Sequence, residues 1–123
     1  MRILVADDDP TMLKIAALSL TKKGGHEVVC AADGAQAVAL AEAAPPDLIL
    51  LDGQMPVLDG PGVLLKLRGN DRTKNIPVIF LSGASDAAAL DHYRSLNPAG
   101  IISKPFNPLT LPDQVRGILD KPR

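Results

Sequence analysis

Asp7 and Asp8 follow the apolar run Ile3-Leu4-Val5-Ala6, and Asp52 follows Leu48-Ile49-Leu50-Leu51. Ser82 follows Val78-Ile79-Phe80-Leu81, and Lys104 follows Ile101-Ile102-Ser103. If these runs are parallel strands, their carboxyl ends share one edge of a sheet, which is where open α/β folds bind ligands. Three carboxylates, a hydroxyl and an ammonium would then meet in one cleft. Clustered carboxylates raise one another's pKa unless a cation neutralises them. A carboxylate can also act as a covalent nucleophile towards phosphorus, and a lysine offers a mobile charge suited to phosphate. The chemistry in outline is that of a metal and phosphoryl site.

The elements that must position these residues alternate strand and helix along the whole chain. Arg2–Ala6 reads as the first strand, and Asp9-Pro10 as an N-cap with proline at the first helical position. The helix that follows runs to about Lys23, carries Met12, Ile15, Ala16 and Leu20 on one face, and stops at Gly24-Gly25, a source of positive φ. Glu27–Ala31 reads as a second strand, and Ala35–Ala43 as an alanine-rich helix ended by Pro45-Pro46. Leu48–Leu51 is apolar at every position, which suits a strand covered on both faces. A loop from Gly53 to Gly60 leads to a helix near Gly62–Leu67. Pro77–Leu81, Asp86–Leu96, Gly100–Ser103 and Pro108–Leu119 complete the series, the last with Leu111, Val115, Ile118 and Leu119 as its inner face. Strict βα alternation with short connections predicts a doubly wound parallel sheet.

The 123 residues suffice for one domain with a substantial core. With 46% hydrophobic and 22% charged residues, the composition is globular. Thirteen basic and 14 acidic residues leave a net charge of −1, without the basic excess of a direct nucleic-acid binder. No apolar stretch approaches the ~20 residues needed to span a bilayer, so no membrane insertion is expected. The chain opens directly on a strand pattern with no signal peptide, and a cytoplasmic location is expected. Cys30, the only cysteine, permits no intrachain disulfide and reads as a small buried hydrophobe. His26 and His92 have no partner at metal spacing and read as surface residues, Met12 and Met55 as packing residues.

Asp7-Asp8, Asp52 with Met55-Pro56 and Asp59-Gly60, Ser82-Gly83-Ala84, and Lys104-Pro105-Phe106 occur in that order, each at a strand end. In this the chain resembles a response-regulator receiver domain of two-component signalling, from Ile3 to about Leu119. The resemblance implies a flavodoxin-like fold of five parallel strands in the order 2-1-3-4-5, with residues 1–123 forming one receiver domain of the stand-alone type. It implies that Asp52 accepts a phosphoryl group from a histidine kinase's phosphohistidine or from a small donor such as acetyl phosphate. Asp8, Asp52 and the backbone carbonyl of Gln54 would bind Mg²⁺ (or Mn²⁺) directly, with Asp7 acting through water. Lys104 and Ser82 would grip the phosphoryl oxygens, with Asp52 as the resting partner of Lys104. A cis bond between Lys104 and Pro105 would aim the lysine inward.

The family varies at Gln54 and Ala84, and both positions influence how fast the acyl phosphate hydrolyses. Gly83 and Ala84 leave the mouth of the site open, and Asp9 is assigned to helix capping. One departure stands out. The family usually carries an aromatic residue three positions before the lysine, where this chain has Ile101; Tyr93 on the preceding helix could substitute for it. The expected function is a phosphorylation switch, not a conventional turnover enzyme, acting on a downstream protein target through the fourth helix, fifth strand and fifth helix. A phosphorylation-dependent homodimer and a relay to a histidine phosphotransfer protein use the same residues. The competing reading is a phosphate-independent interaction module that keeps the fold. A phosphatase with an aspartyl intermediate would need a further general acid and a substrate cap.

Overall fold

The computed structural model describes residues 1–83 and 87–121. Five strands, β1 (Arg2–Ala6), β2 (Glu27–Ala31), β3 (Leu48–Asp52), β4 (Val78–Ser82) and β5 (Gly100–Ser103), form one sheet in the order β2-β1-β3-β4-β5. All neighbouring pairs are parallel. The helices are α1 (Pro10–Leu18), α2 (Gly34–Ala43), α3 (Gly60–Arg68), α4 (Ala87–Ser95) and α5 (Leu111–Leu119). The predicted doubly wound architecture and strand order are those observed.

Alternation of side chains along the strands splits the core into two layers. Leu4, Ala6, Ile49, Leu51, Val78 and Phe80 face α2 and α3, with Tyr93 of α4 in the same cluster. Ile3, Val5, Leu48, Leu50, Ile79 and Leu81 face the other way, towards Ala16 and Leu20 and towards Leu111 and Val115 of α5. Strands β3 and β4 are buried at every position, which is why their sequences read as unbroken apolar runs.

The first helix reaches Lys23 as expected, while α3 and α5 start at residues other than those expected. Helix α1 passes into a π-helical turn, Ser19–Lys23, whose buried Ser19 hydroxyl donates to the Pro108 carbonyl at 2.5 Å. Helix α3 starts at Gly60 because Asp59 is its N-cap, accepting from the Gly62 amide at 2.8 Å. Helix α5 starts at Leu111, later than Pro108. The Asn107 side chain accepts from the Leu109 amide at 2.9 Å and its carbonyl from the Thr110 amide at 3.0 Å, so a turn precedes the helix. The expected start of α4 at Asp86 lies outside the described residues, as does Ala84. Cys30 is a correction: it is exposed, because β2 is an edge strand with a neighbour on one side only and only Ala31 fully buried.

Candidate functional site

Register places the polar residues side by side. Ala6 pairs with Leu51, so Asp7 and Asp52 leave adjacent strands at the same level. Ser82 pairs with Ser103, so Lys104 emerges one residue beyond Ser82 on the next strand. Backbone bonds hold these exits: Asp7 N–H to the Ala31 carbonyl at 3.1 Å, Gly53 N–H to Leu81 at 3.1 Å, and Lys104 N–H to Ser82 at 2.8 Å. The Lys104–Pro105 peptide is cis, as the family resemblance implied, and Phe106 is buried in the layer beneath.

The resulting cleft has a volume of about 720 Å³ and is walled by Asp7, Asp8, Asp52, Gln54, Ser82 and Lys104, with Tyr93 at one side. Asp7 and Asp52 are buried carboxylates, and Ser82 is buried with them. Lys104 Nζ lies 2.5 Å from Asp7 Oδ2 and 3.2 Å from Asp52 Oδ2. The lysine therefore bridges two carboxylates, and its nearer partner is Asp7 where the sequence reading had Asp52. Asp7 Oδ1 accepts from the Asp9 amide at 2.9 Å, and Asp52 Oδ1 from the Gln54 amide at 3.2 Å. Asp9 itself caps α1, accepting from Thr11 at 2.9 Å.

Burial pushes the Asp52 carboxyl above its ordinary range and the nearby Asp7 adds to this, while the Gln54 amide and Lys104 pull against it. Burial alone would lower the Lys104 ammonium. The hydrogen bond to Asp7 and the charges of Asp52 and Asp7 outweigh that, and its pKa is raised.

Asp7, Asp8 and Asp52 each present a carboxylate oxygen within 4.8 Å of the others, a spacing that could hold a metal ion. Against these three carboxylates stands one ammonium, which leaves an excess negative charge suited to a divalent cation. The donors are all hard oxygens, and Asp8 and Gln54 are exposed, leaving room for coordinated water. The residues present fit Mg²⁺.

Sequence reasoning gave Tyr93 only a passing place, yet it reaches this site. Its ring stacks on Phe80 with centroids 4.9 Å apart and planes inclined by 27°. A Cβ at Gly53 would sit 2.3 Å from the Tyr93 hydroxyl, so the residue after Asp52 must be glycine for the phenol to lie there. Ile101, at the departing position, is half-buried on β5 and packs against the Phe80 layer. Among the described residues, no helix is long and apolar enough to cross a membrane.

A family model described as "Response regulator receiver domain" matches residues 3–116. The chain is 36% identical over 118 residues to the "Probable transcriptional regulator ycf27" of Cyanophora paradoxa, covering 96% of this chain and 48% of that protein. It thus spans about half the length of the curated relatives it matches. Among solved structures, the chemotaxis protein CheY4 of Vibrio cholerae is similar with a TM-score of 0.86 at 29% identity, over 95% of this chain and 97% of that one. The signal receiver domain of a signal transduction histidine kinase from Syntrophus aciditrophicus is similar with a TM-score of 0.85 at 29% identity, over 96% and 89%.

Proposed function

The chain belongs to the response regulator receiver domain family, and on that premise we propose that residues 1–123 form one phosphoacceptor switch centred on Asp52. Receiver domains are the phosphoacceptor modules of two-component signalling. The observation that carries the assignment to Asp52 is the meeting of its buried carboxylate with Lys104 and Asp7 in the cleft that Ser82 also lines.

An Asp52 carboxylate oxygen attacks the phosphorus of a histidine kinase's phosphohistidine, or of acetyl phosphate. The bond from phosphorus to the leaving atom breaks, its electron pair stays on that atom, and an acyl phosphate remains on Asp52. The transfer demands mainly position and charge stabilisation. Poor solvation of Asp52 favours attack, because little water must be shed first. Lys104 stands within reach of the acceptor oxygen and meets the arriving phosphoryl oxygens with its ammonium. The Ser82 hydroxyl donates to one of them. Asp8, Asp52 and the Gln54 carbonyl would hold Mg²⁺ or Mn²⁺, with Asp7 assisting through water, and the ion would supply neutralisation of phosphoryl charge.

The modification adds about −1.5 to −2 charge, and the readout is changed binding of a downstream protein at the face formed by α4, β5 and α5. A groove of about 410 Å³ between α4 and β5, lined by Leu90, Arg94, Ile101 and Ser103 among others, supports the α4 and β5 part of that surface. Dimerisation through the same face, or relay to a histidine phosphotransfer protein, uses the same site.

Incubation with acetyl phosphate and Mg²⁺, followed by intact mass, tests the assignment. Wild type gains the mass of one phosphoryl group and Asp52→Ala does not. Equal labelling of both proteins, or none on wild type, overturns the role of Asp52. Partner affinity that is identical with and without phosphate would instead favour the phosphate-independent module.

A further inference from the structure

The geometry points to Tyr93 as the side chain that couples occupancy of the cleft to the seating of α4. This inference rests on the acceptor role of Asp52 and concerns how that site is read out. Tyr93 is the only fully buried residue of α4, with Ala89 and Leu90 half-buried beside it and Asp91, His92 and Arg94 exposed. Tyr93 is thus the deepest contact of the helix with the sheet, with Ala89 and Leu90 packed against the same core layer. That side chain has two dissimilar ends. Its ring stacks on Phe80 within the core layer, and its hydroxyl forms part of the cleft wall, against Gly53 and next to the acceptor.

A ligand shifts a conformational equilibrium only by interacting differently with the two states. A phosphoryl group on Asp52 brings three acceptor oxygens and negative charge into the space that the Tyr93 hydroxyl borders. A phenol O–H is both donor and acceptor, so its interactions with a filled and an empty cleft differ in kind. The ring packs on Phe80 and the phenol already fills the space over Gly53, which leaves little slack to absorb that difference locally. The response passes along the helix whose most deeply buried residue is the same tyrosine. Tyr93 is therefore a positioning residue, outside the chemistry of transfer.

The chain supplies its own probe, since it has one tyrosine and no tryptophan. Intrinsic tyrosine fluorescence of wild type is recorded with Mg²⁺ alone and then with Mg²⁺ and acetyl phosphate, while intact mass reports the labelled fraction. Hydrogen exchange of peptides covering α4 is followed in parallel. The expected result is a fluorescence change that tracks labelling, exceeds that from Mg²⁺ alone and is absent in Asp52→Ala, with altered exchange in α4. Tyr93→Phe keeps the ring; labelled to the same extent, it should show an α4 response smaller by roughly threefold or more. Labelled wild type with unchanged fluorescence and unchanged α4 exchange overturns the coupling while leaving the acceptor reading intact. So does a full α4 response in labelled Tyr93→Phe. Wild type that takes up no phosphate removes the acceptor reading and this inference together. If Tyr93→Phe fails to fold, the wild-type fluorescence and exchange decide alone.

Discussion

Asp52 and Lys104 are shifted in the same direction with opposite consequences for stability. Asp52 has its pKa raised above 3.8 in the folded, metal-free protein, chiefly by burial. Between 3.8 and that raised value the native state binds more protons than the unfolded chain, so stability falls as pH rises through the window. At neutral pH the penalty is fully present. Asp52→Asn is therefore expected to be more stable than wild type at pH 7 without metal, with the advantage shrinking as pH falls towards 3.8. Urea midpoints measured across that range check this; a pH-independent difference would contradict it. Lys104 is raised above 10.5, so its contribution is complete below that pH and is lost as pH climbs through its folded value. Its ion pairs with Asp7 and Asp52 are well shielded, which distinguishes them from the exposed helical pairs such as Arg94 with Asp91.

At the scale of elements, the loop from β3 to α3 carries the clearest local conflict. Val57 has a φ of 70°, in the left-handed region, and the Leu58 amide closes a tight turn onto the Pro56 carbonyl at 2.8 Å. A β-branched residue is poorly suited to that conformation. Since Val57 is 80% exposed, little packing compensates for the strain. Val57→Asn should accordingly stabilise the protein by about 0.5–1 kcal/mol, read as a higher urea midpoint with an unchanged slope. A loss of stability would mean that the side chain makes a contribution its exposure does not suggest. The loop leads into Gly60, the first residue of α3, where a Cβ would fall 2.6 Å from the Asp52 carbonyl and 2.9 Å from Gly53 Cα. Here the clash is with backbone, which cannot yield as a flexible side chain would. Gly60→Ala is expected to cost about 1–3 kcal/mol by overpacking, and to disturb the end of β3 along with α3.

Across the whole molecule, the core and the site are built by the same strands but ask for different things. The core layers want apolar residues throughout β3 and β4; the site wants buried polar groups where those strands end, a carboxylate at Asp52 and a hydroxyl at Ser82. A cation bound only by the folded arrangement, as proposed for Asp7, Asp8 and Asp52, would reconcile the two through linkage. Mg²⁺ at a hundredfold excess over its Kd should stabilise the protein by about 2.7 kcal/mol. Thermal or urea unfolding of wild type with and without Mg²⁺ checks this, and Asp8→Asn, which removes an exposed member of the cluster, should blunt the effect. An equal response in Asp8→Asn would place the bound ion elsewhere. The amino-acid sequence by itself determined the strands and their two-sided burial, because continuous apolar runs bounded by turns admit few other uses. It also determined which polar residues end those strands, since Asp7, Asp52, Ser82 and Lys104 each interrupt a run that hydrophobic burial would otherwise extend. Exact helix starts were less legible: Asp59 takes the Gly62 amide and caps α3, whereas Asn107 takes the Leu109 amide in a turn ahead of α5, and the residue types alone do not say which polar side chain will cap and which will turn the chain. That Lys104 lies nearer Asp7 than Asp52, that Cys30 faces solvent, and that Tyr93 reaches Gly53 from another element were decided by the tertiary structure alone. Such contacts join residues far apart in the chain, and no local propensity or periodicity encodes a distance between them.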